Sequence, residues 1–128
     1  MKSNKSINLI ISLVIYPYDI MISIGESDVE FLNSIKNYGV KKNTVVDLLN
    51  LPDSLKGRTV MILESNHTFM RLKSIPKTPL DYNFLQHEIF HSVDFILRKI
   101  GITLSTDSDE AYAYLIGYVT EKIYEKLL

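Results

Sequence analysis

Residues 87–91 read His-Glu-Ile-Phe-His, inside a stretch whose every local signal is helical. Thr78 is able to cap, Pro79 suits a first turn, and Asp81 sits where the helix dipole favours an acid. Leu85, Ile89, Val93, Ile96 and Ile100 then recur at helical spacing, while Phe84, Phe90, Phe95 and Leu97 make the other faces apolar too. Arg98 and Lys99 complement the C-terminal dipole, and Gly101 ends the run. The spacing predicts a long, well-covered central helix around which the rest of the chain has to pack. On it His87 and His91 project from one face, one turn apart, with Glu88 beside them.

That geometry can grip one metal ion, and it puts a carboxylate where it can take a proton from a water on that ion. The chain has three histidines, so two of them at this spacing around a glutamate is a specific signal. Catalytic zinc usually takes three protein ligands, and the best third candidate is Glu110, in Ser108-Asp109-Glu110-Ala111-Tyr112-Ala113. This segment opens the next helix, which antiparallel pairing would bring back beside the histidines. Asp107, Asp109 and Asp94 compete for the role. Asp107 and Glu110 also have capping-box spacing, which makes Asp107 a cap and offers Glu110 the job of reciprocal partner. Asp94, one turn beyond His91, reads either as the residue that orients a ligating imidazole or as an ordinary hydrogen-bonding acid.

Tyr114 follows Glu110 by one turn and has two readings: a hydrogen-bond donor to the oxyanion of an attacked carbonyl, or, the favoured one, a core residue with a bonded hydroxyl. Gly117 on nearly the same face is expected to let this helix approach the first closely. His67 reads as a surface residue at a turn.

A chain of 128 residues with formal charge −1 suits one compact domain, residues 1–128, and argues against nucleic acid as the main partner. Without cysteine there are neither disulfides nor thiolate ligands, and a cytoplasmic protein is the simplest reading. The basic start and the apolar run that follows superficially copy a secretory signal. No small-residue cleavage site follows, and the apolar runs are too short for a membrane span. Residues 7–16 and 20–24 are expected to form two strands joined by a turn at 17–19. Ser27 caps a short amphipathic helix ending at Asn37-Tyr38-Gly39, residues 41–51 repeat the helical pattern more weakly up to Pro52, and 59–63 with 67–72 make a second hairpin. One strand of that hairpin is expected at a sheet edge, where an extended peptide can pair with it.

With the motif and Glu110 in view, the C-terminal part resembles the zincin-like metallopeptidases, and among them the gluzincins, in which HExxH is followed on a later helix by glutamate in an ExxA setting. Here these are His87-Glu88-Ile89-Phe90-His91 and Glu110-Ala111-Tyr112-Ala113. More narrowly, HEIFHSVDFIL followed by DSDEAYAYLIGY is similar to small HExxH proteins encoded by bacteriophages and their hosts. The resemblance covers about the last third of the chain. It implies an α+β minimal zincin with an N-terminal sheet and short helices, then the motif helix and the glutamate helix. It also implies one Zn2+ per chain held by His87, His91 and Glu110, with Glu88 as general base in peptide hydrolysis. The substrate would be a peptide or protein, and the compartment the host cytoplasm if the protein is phage-encoded. The alternative is a non-catalytic binding module that uses the metal structurally. The chain departs from larger gluzincins in having no extensive second subdomain.

Overall fold

The computed structural model describes residues 5–13, 15–62 and 65–128. Residues 1–4 of the basic start, Val14 of the first expected strand, Leu63 at the end of the third and Glu64 of the turn after it lie outside them. Strands β1 (Ile7–Ser12) and β2 (Asp19–Ile24) form the first expected hairpin. Helix α1 (Asp28–Asn37) follows, then β3 (Gly57–Met61), β4 (His67–Leu72), α2 (Pro79–Lys99) and α3 (Asp109–Leu127). The protein is α+β, with the four strands in one mixed sheet of order β1-β2-β4-β3. The two hairpins are antiparallel, and the pair that joins them, β2 with β4, is parallel, with Asp19 opposite His67 and Ile24 opposite Leu72.

Alternation along the central strands sends side chains to two separate cores. Ile20, Ile22 and Ile24 of β2 and Met70 and Leu72 of β4 face α2, where they bury Leu85, Ile89, Val93, Ile96 and Leu97, together with Tyr112, Val119 and Ile123 of α3. Met21 of β2 and Phe69 of β4 face the other way, onto Phe31 and Ile35 of α1 and onto Val45 and Leu48. Each fully buried aliphatic or aromatic side chain is worth about 1.5–3 kcal/mol. Both layers are therefore needed to cover the sheet.

The two long-range helices begin as their sequences predict. Ser27 accepts from the Glu30 backbone N–H and Glu30 returns the bond to Ser27 N–H; Thr78 and Asp81 repeat the arrangement at α2. The Ser27 backbone N–H lowers the Glu30 carboxyl from its ordinary value, and the Lys77 backbone N–H, ahead of the Thr78 bonds, does the same for Asp81. Gly101, at φ 89°, takes up the left-handed conformation just past the end of α2. Residues 41–51 do not form the expected helix. They make two 3₁₀ turns, Lys42–Thr44 and Val46–Leu48, and the backbone turns out of them at Asn50, whose φ is 53°. Paired β-branched residues and Asp47 are weak helix formers, so burying Val45 and Leu48 decides the conformation there.

Arg71, 4% exposed on the α1 side of β4, is the polar centre of that layer. Its guanidinium donates to Asp28 Oδ1 at 2.5 Å, to the Leu48 carbonyl at 2.7 Å and to the Glu26 carbonyl at 2.8 Å, and lies 5.1 Å from the Phe31 ring centroid. The Arg71 hydrogen bond holds the Asp28 carboxyl below its ordinary value against the opposing effect of burial, with help from the Asn50 backbone N–H. A depressed folded-state pKa contributes stability that is complete above the unfolded value, about 3.9, and lost as pH falls through the folded one. The difference in Tm between the native protein and Asp28→Asn should therefore be constant near neutral pH and shrink below about pH 4. Thermal melts across that range check it, and a difference that grows on acidification would contradict this assignment.

Among the described residues, no helix is long and apolar enough to cross a membrane.

Candidate metal and catalytic site

Because α2 is continuous from Pro79 to Lys99, His87 and His91 occupy one face a turn apart. Their Nε2 atoms converge to 3.0 Å, with ring centroids 4.6 Å apart and planes at 76°. Two imidazole nitrogens on one tetrahedral zinc, each about 2.0–2.1 Å from it, stand roughly 3.3 Å apart, so the pair is close to chelating geometry. His91 also stacks on Phe95, at 6.0 Å and 27°, and meets the edge of Phe90. Aromatic neighbours on both sides restrict its rotation.

Glu88 points from the neighbouring face of α2 into the space between the helix and β3, and is 7% exposed. The Thr59 hydroxyl of β3 donates to Glu88 Oε1 at 2.7 Å and lies 3.3 Å from the Glu88 carbonyl, which also accepts from the Ser92 hydroxyl at 2.9 Å. Gly57 makes the approach possible: a Cβ there would stand 2.9 Å from Leu72 Cδ1, 3.0 Å from the Arg71 carbonyl oxygen and 3.1 Å from Glu88 Cγ. The Gly57→Ala variant should push β3 off the helix at a cost of about 1–3 kcal/mol, read as a lower urea midpoint. An unchanged midpoint would mean the strand yields freely. Thr59 and Gly57 were not among the expected site residues. Their signal lies in strand alternation, which sends 57, 59 and 61 to one face of β3.

β3 is an edge strand and β4 is central, so the free edge beside the motif belongs to β3.

The remaining candidates sit elsewhere. Asp94 accepts from the Tyr112 hydroxyl at 2.9 Å and pairs with Arg98 at 2.7 Å. That ties the two helices together, and burial followed by the Asp94 bond pushes the Tyr112 phenol above its ordinary pKa. Tyr112, 2% exposed and stacked on Phe90, faces α2, as does Tyr124 further along α3, whose ring meets Tyr82 and whose hydroxyl accepts from Gln86. Extending the stripe of Ile123, Val119 and Ile116 back by helical spacing finds Tyr112. Glu110 lies two residues from Tyr112, about 200° around the helix, and falls on an exposed stripe with Tyr114, Gly117 and Glu121. The structure thus brings His87 and His91 together, sets Glu88 on the neighbouring face of the same helix against Thr59, and leaves Glu110 on the outer stripe of α3. Among the described residues, no three His, Asp or Glu side chains cluster closely enough to hold one metal ion.

Three further expectations about α3 are corrected. Tyr114, favoured as a core residue, is 76% exposed in an apolar groove with Ile15, Tyr16, Leu97 and Tyr118. Gly117 mediates no close approach, since a Cβ there would have no neighbour within 4 Å. Nor do Asp107 and Glu110 form a capping box: Ser108 occupies the cap position and its side chain makes no cap hydrogen bond, while its hydroxyl donates to the Thr103 carbonyl. Asp107 and Asp109 are exposed. His67 pairs through Nδ1 with Asp19 at 2.5 Å, across the ends of the parallel strands.

Comparison with protein-family models, with curated proteins and with solved structures gives no match.

Proposed function

We propose that the protein is a zinc-dependent peptidase of zincin-like arrangement, in which His87 and His91 hold the metal, Glu88 is the general base, and an extended peptide lies along the free edge of β3; the motif pattern would add Glu110 as third donor, although α3 places it on an outer stripe away from the histidine pair. The observation that carries this reading is the convergence of the two Nε2 atoms to 3.0 Å on the helix that also bears Glu88. When bound, zinc polarises a peptide carbonyl and acidifies a water to a pKa of about 7. Glu88 would be the group that takes a proton from a bound water and passes it to the leaving amine. The Thr59 hydroxyl fixes the carboxylate through Oε1, which leaves the second oxygen for the water. Unpaired N–H and C=O groups along the outer edge of β3 orient the substrate backbone.

The two imidazoles fit zinc by donor type and spacing, and Glu110 remains the acid that the motif pattern assigns. The test is calorimetric zinc titration. The native protein should take up one zinc per chain. His87→Ala and His91→Ala should each weaken uptake by more than the roughly 100-fold that loss of a supporting residue costs, with unchanged circular dichroism. Loss of about tenfold or more in Glu110→Ala puts Glu110 in the donor set, and an unchanged affinity removes it. A folded native protein that refuses zinc would overturn the proposal. The position of Glu110 on the outer stripe of α3 favours a second reading, a binding module whose histidine pair serves no hydrolysis.

A further inference from the structure

A cavity of about 510 Å³ opens where the β3 edge begins, at the N-terminal end of α2. Lys56, Lys73 and Lys77 supply three ammonium groups around it, and Leu72, Ile75 and Phe84 its apolar walls. It continues the sheet edge directly: Lys73 N–H donates to the Lys56 carbonyl at 2.9 Å, one step beyond the Gly57–Leu72 pair of β3 and β4. It also adjoins the motif, because Phe84 stands one helical turn before Glu88 on α2.

The charges in the cavity are not equivalent. Lys73 Nζ is taken by the Leu51 carbonyl at 3.1 Å and Asp53 at 3.2 Å. Asp81 also borders the cavity, but its Oδ2 is turned onto the Lys77 and Thr78 backbone N–H groups as part of the α2 cap. Among the described residues, Lys56 and Lys77 form no ion pair. Two exposed lysines thus line a recess whose one carboxylate, Asp81, is bonded into the α2 cap and also feels the charge of Lys56.

We propose that this cavity is a recognition pocket for a carboxylate carried by the peptide that pairs with β3, either an acidic side chain or a C-terminus. The inference rests on the peptidase reading for the position of the peptide. Lys56 lies three residues from Thr59, the residue that contacts Glu88, or about 10 Å at roughly 3.4 Å per strand residue. A carboxylate two or three residues from the bond beside Glu88 therefore reaches Lys56 and the cavity that Lys77 also lines. Apolar walls favour a carboxylate with methylenes attached over a bare inorganic anion, and the volume admits an acidic side chain with part of its flanking chain.

The experiment measures binding separately from turnover. Fluorescent alanine hexapeptides are titrated into zinc-loaded Glu88→Gln at low salt in three forms: blocked at both ends and neutral, blocked at both ends with one aspartate at each position in turn, and neutral with a free C-terminal carboxylate. At least one acidic form should bind about tenfold more tightly than the neutral peptide, with the advantage falling as salt rises. Aspartate dependence identifies a side-chain carboxylate, and dependence on the free end identifies a C-terminus. Lys56→Glu/Lys77→Glu should abolish the advantage, and Lys56→Gln/Lys77→Gln should reduce it without reversing charge. Equal binding of all peptides, no binding of any, or an advantage that survives both double variants would overturn the pocket. Carboxylate-dependent binding in a protein that hydrolyses nothing would retain the pocket and sink the peptidase reading. Hydrolysis by the native protein without preference for a carboxylate would do the reverse.

Discussion

Glu88→Gln should abolish peptide hydrolysis while leaving zinc uptake and folding intact. The substitution keeps the size of the side chain and an acceptor oxygen for the Thr59 hydroxyl, so the packing between α2 and β3 has no reason to change. What disappears is the ability to accept a proton. A positioned general base contributes about 10²–10⁴-fold, so kcat/KM should fall by at least the lower figure. Turnover is measured on casein and on a peptide library with zinc-loaded protein, with an inhibitory chelator as background. Undiminished turnover would exclude Glu88 as the base. Zinc uptake with no turnover in either protein would favour the binding-module reading.

Arg71→Leu should destabilise the protein by about 3–5 kcal/mol. Its guanidinium is the one donor group that joins the start of α1, the Glu26 carbonyl and the Leu48 carbonyl. Asp28 is partly exposed and can regain water, but the two carbonyls would be left buried without these donors, at about 1–3 kcal/mol each. Leucine supplies apolar volume, so the loss reports the hydrogen bonds rather than an empty space. Arg71→Lys should recover only a minor part, because a single ammonium cannot span three acceptors held in a fork. Urea unfolding, compared at equal m-value, reads both variants. A loss under about 1 kcal/mol for leucine would show that the α1 layer is held by Phe31, Ile35 and Leu48 alone.

Local chemistry made much of this fold legible. The caps at Ser27 and Thr78, the apolar stripe through Leu85, Ile89 and Val93, and the break at Gly101 all act within a few residues, and they place α1 and α2 from the sequence. Both hairpins follow from alternation and turn residues. The parallel pairing of β2 with β4 leaves no such mark, because its register is set by two distant strands meeting over shared cores. Arg71 carries no mark in the sequence beyond being one charged residue in the 67–72 strand, and only the partners brought by α1 and the 3₁₀ turn make it central. In the site, the His87 and His91 spacing was sufficient, since one helix fixes both. Glu110 depended on the rotation of α3 about its axis, which Tyr112 decides by claiming the face toward Asp94 and Phe90.

The parallel pair at the middle of the sheet also governs how the protein reaches its fold. Each hairpin closes over a short turn, whereas joining them brings together residues such as Asp19 and His67, which are 48 positions apart. Loop-closure entropy therefore falls mainly on this one step, and non-local pairing of that kind slows folding. Until it is complete, the continuous apolar surface of Ile20, Ile22, Ile24, Met70 and Leu72 does not exist, and α2 has nothing to dock against. The histidine pair needs only its own helix to form, but the partnership of Glu88 with Thr59 must wait for the two halves of the sheet to meet.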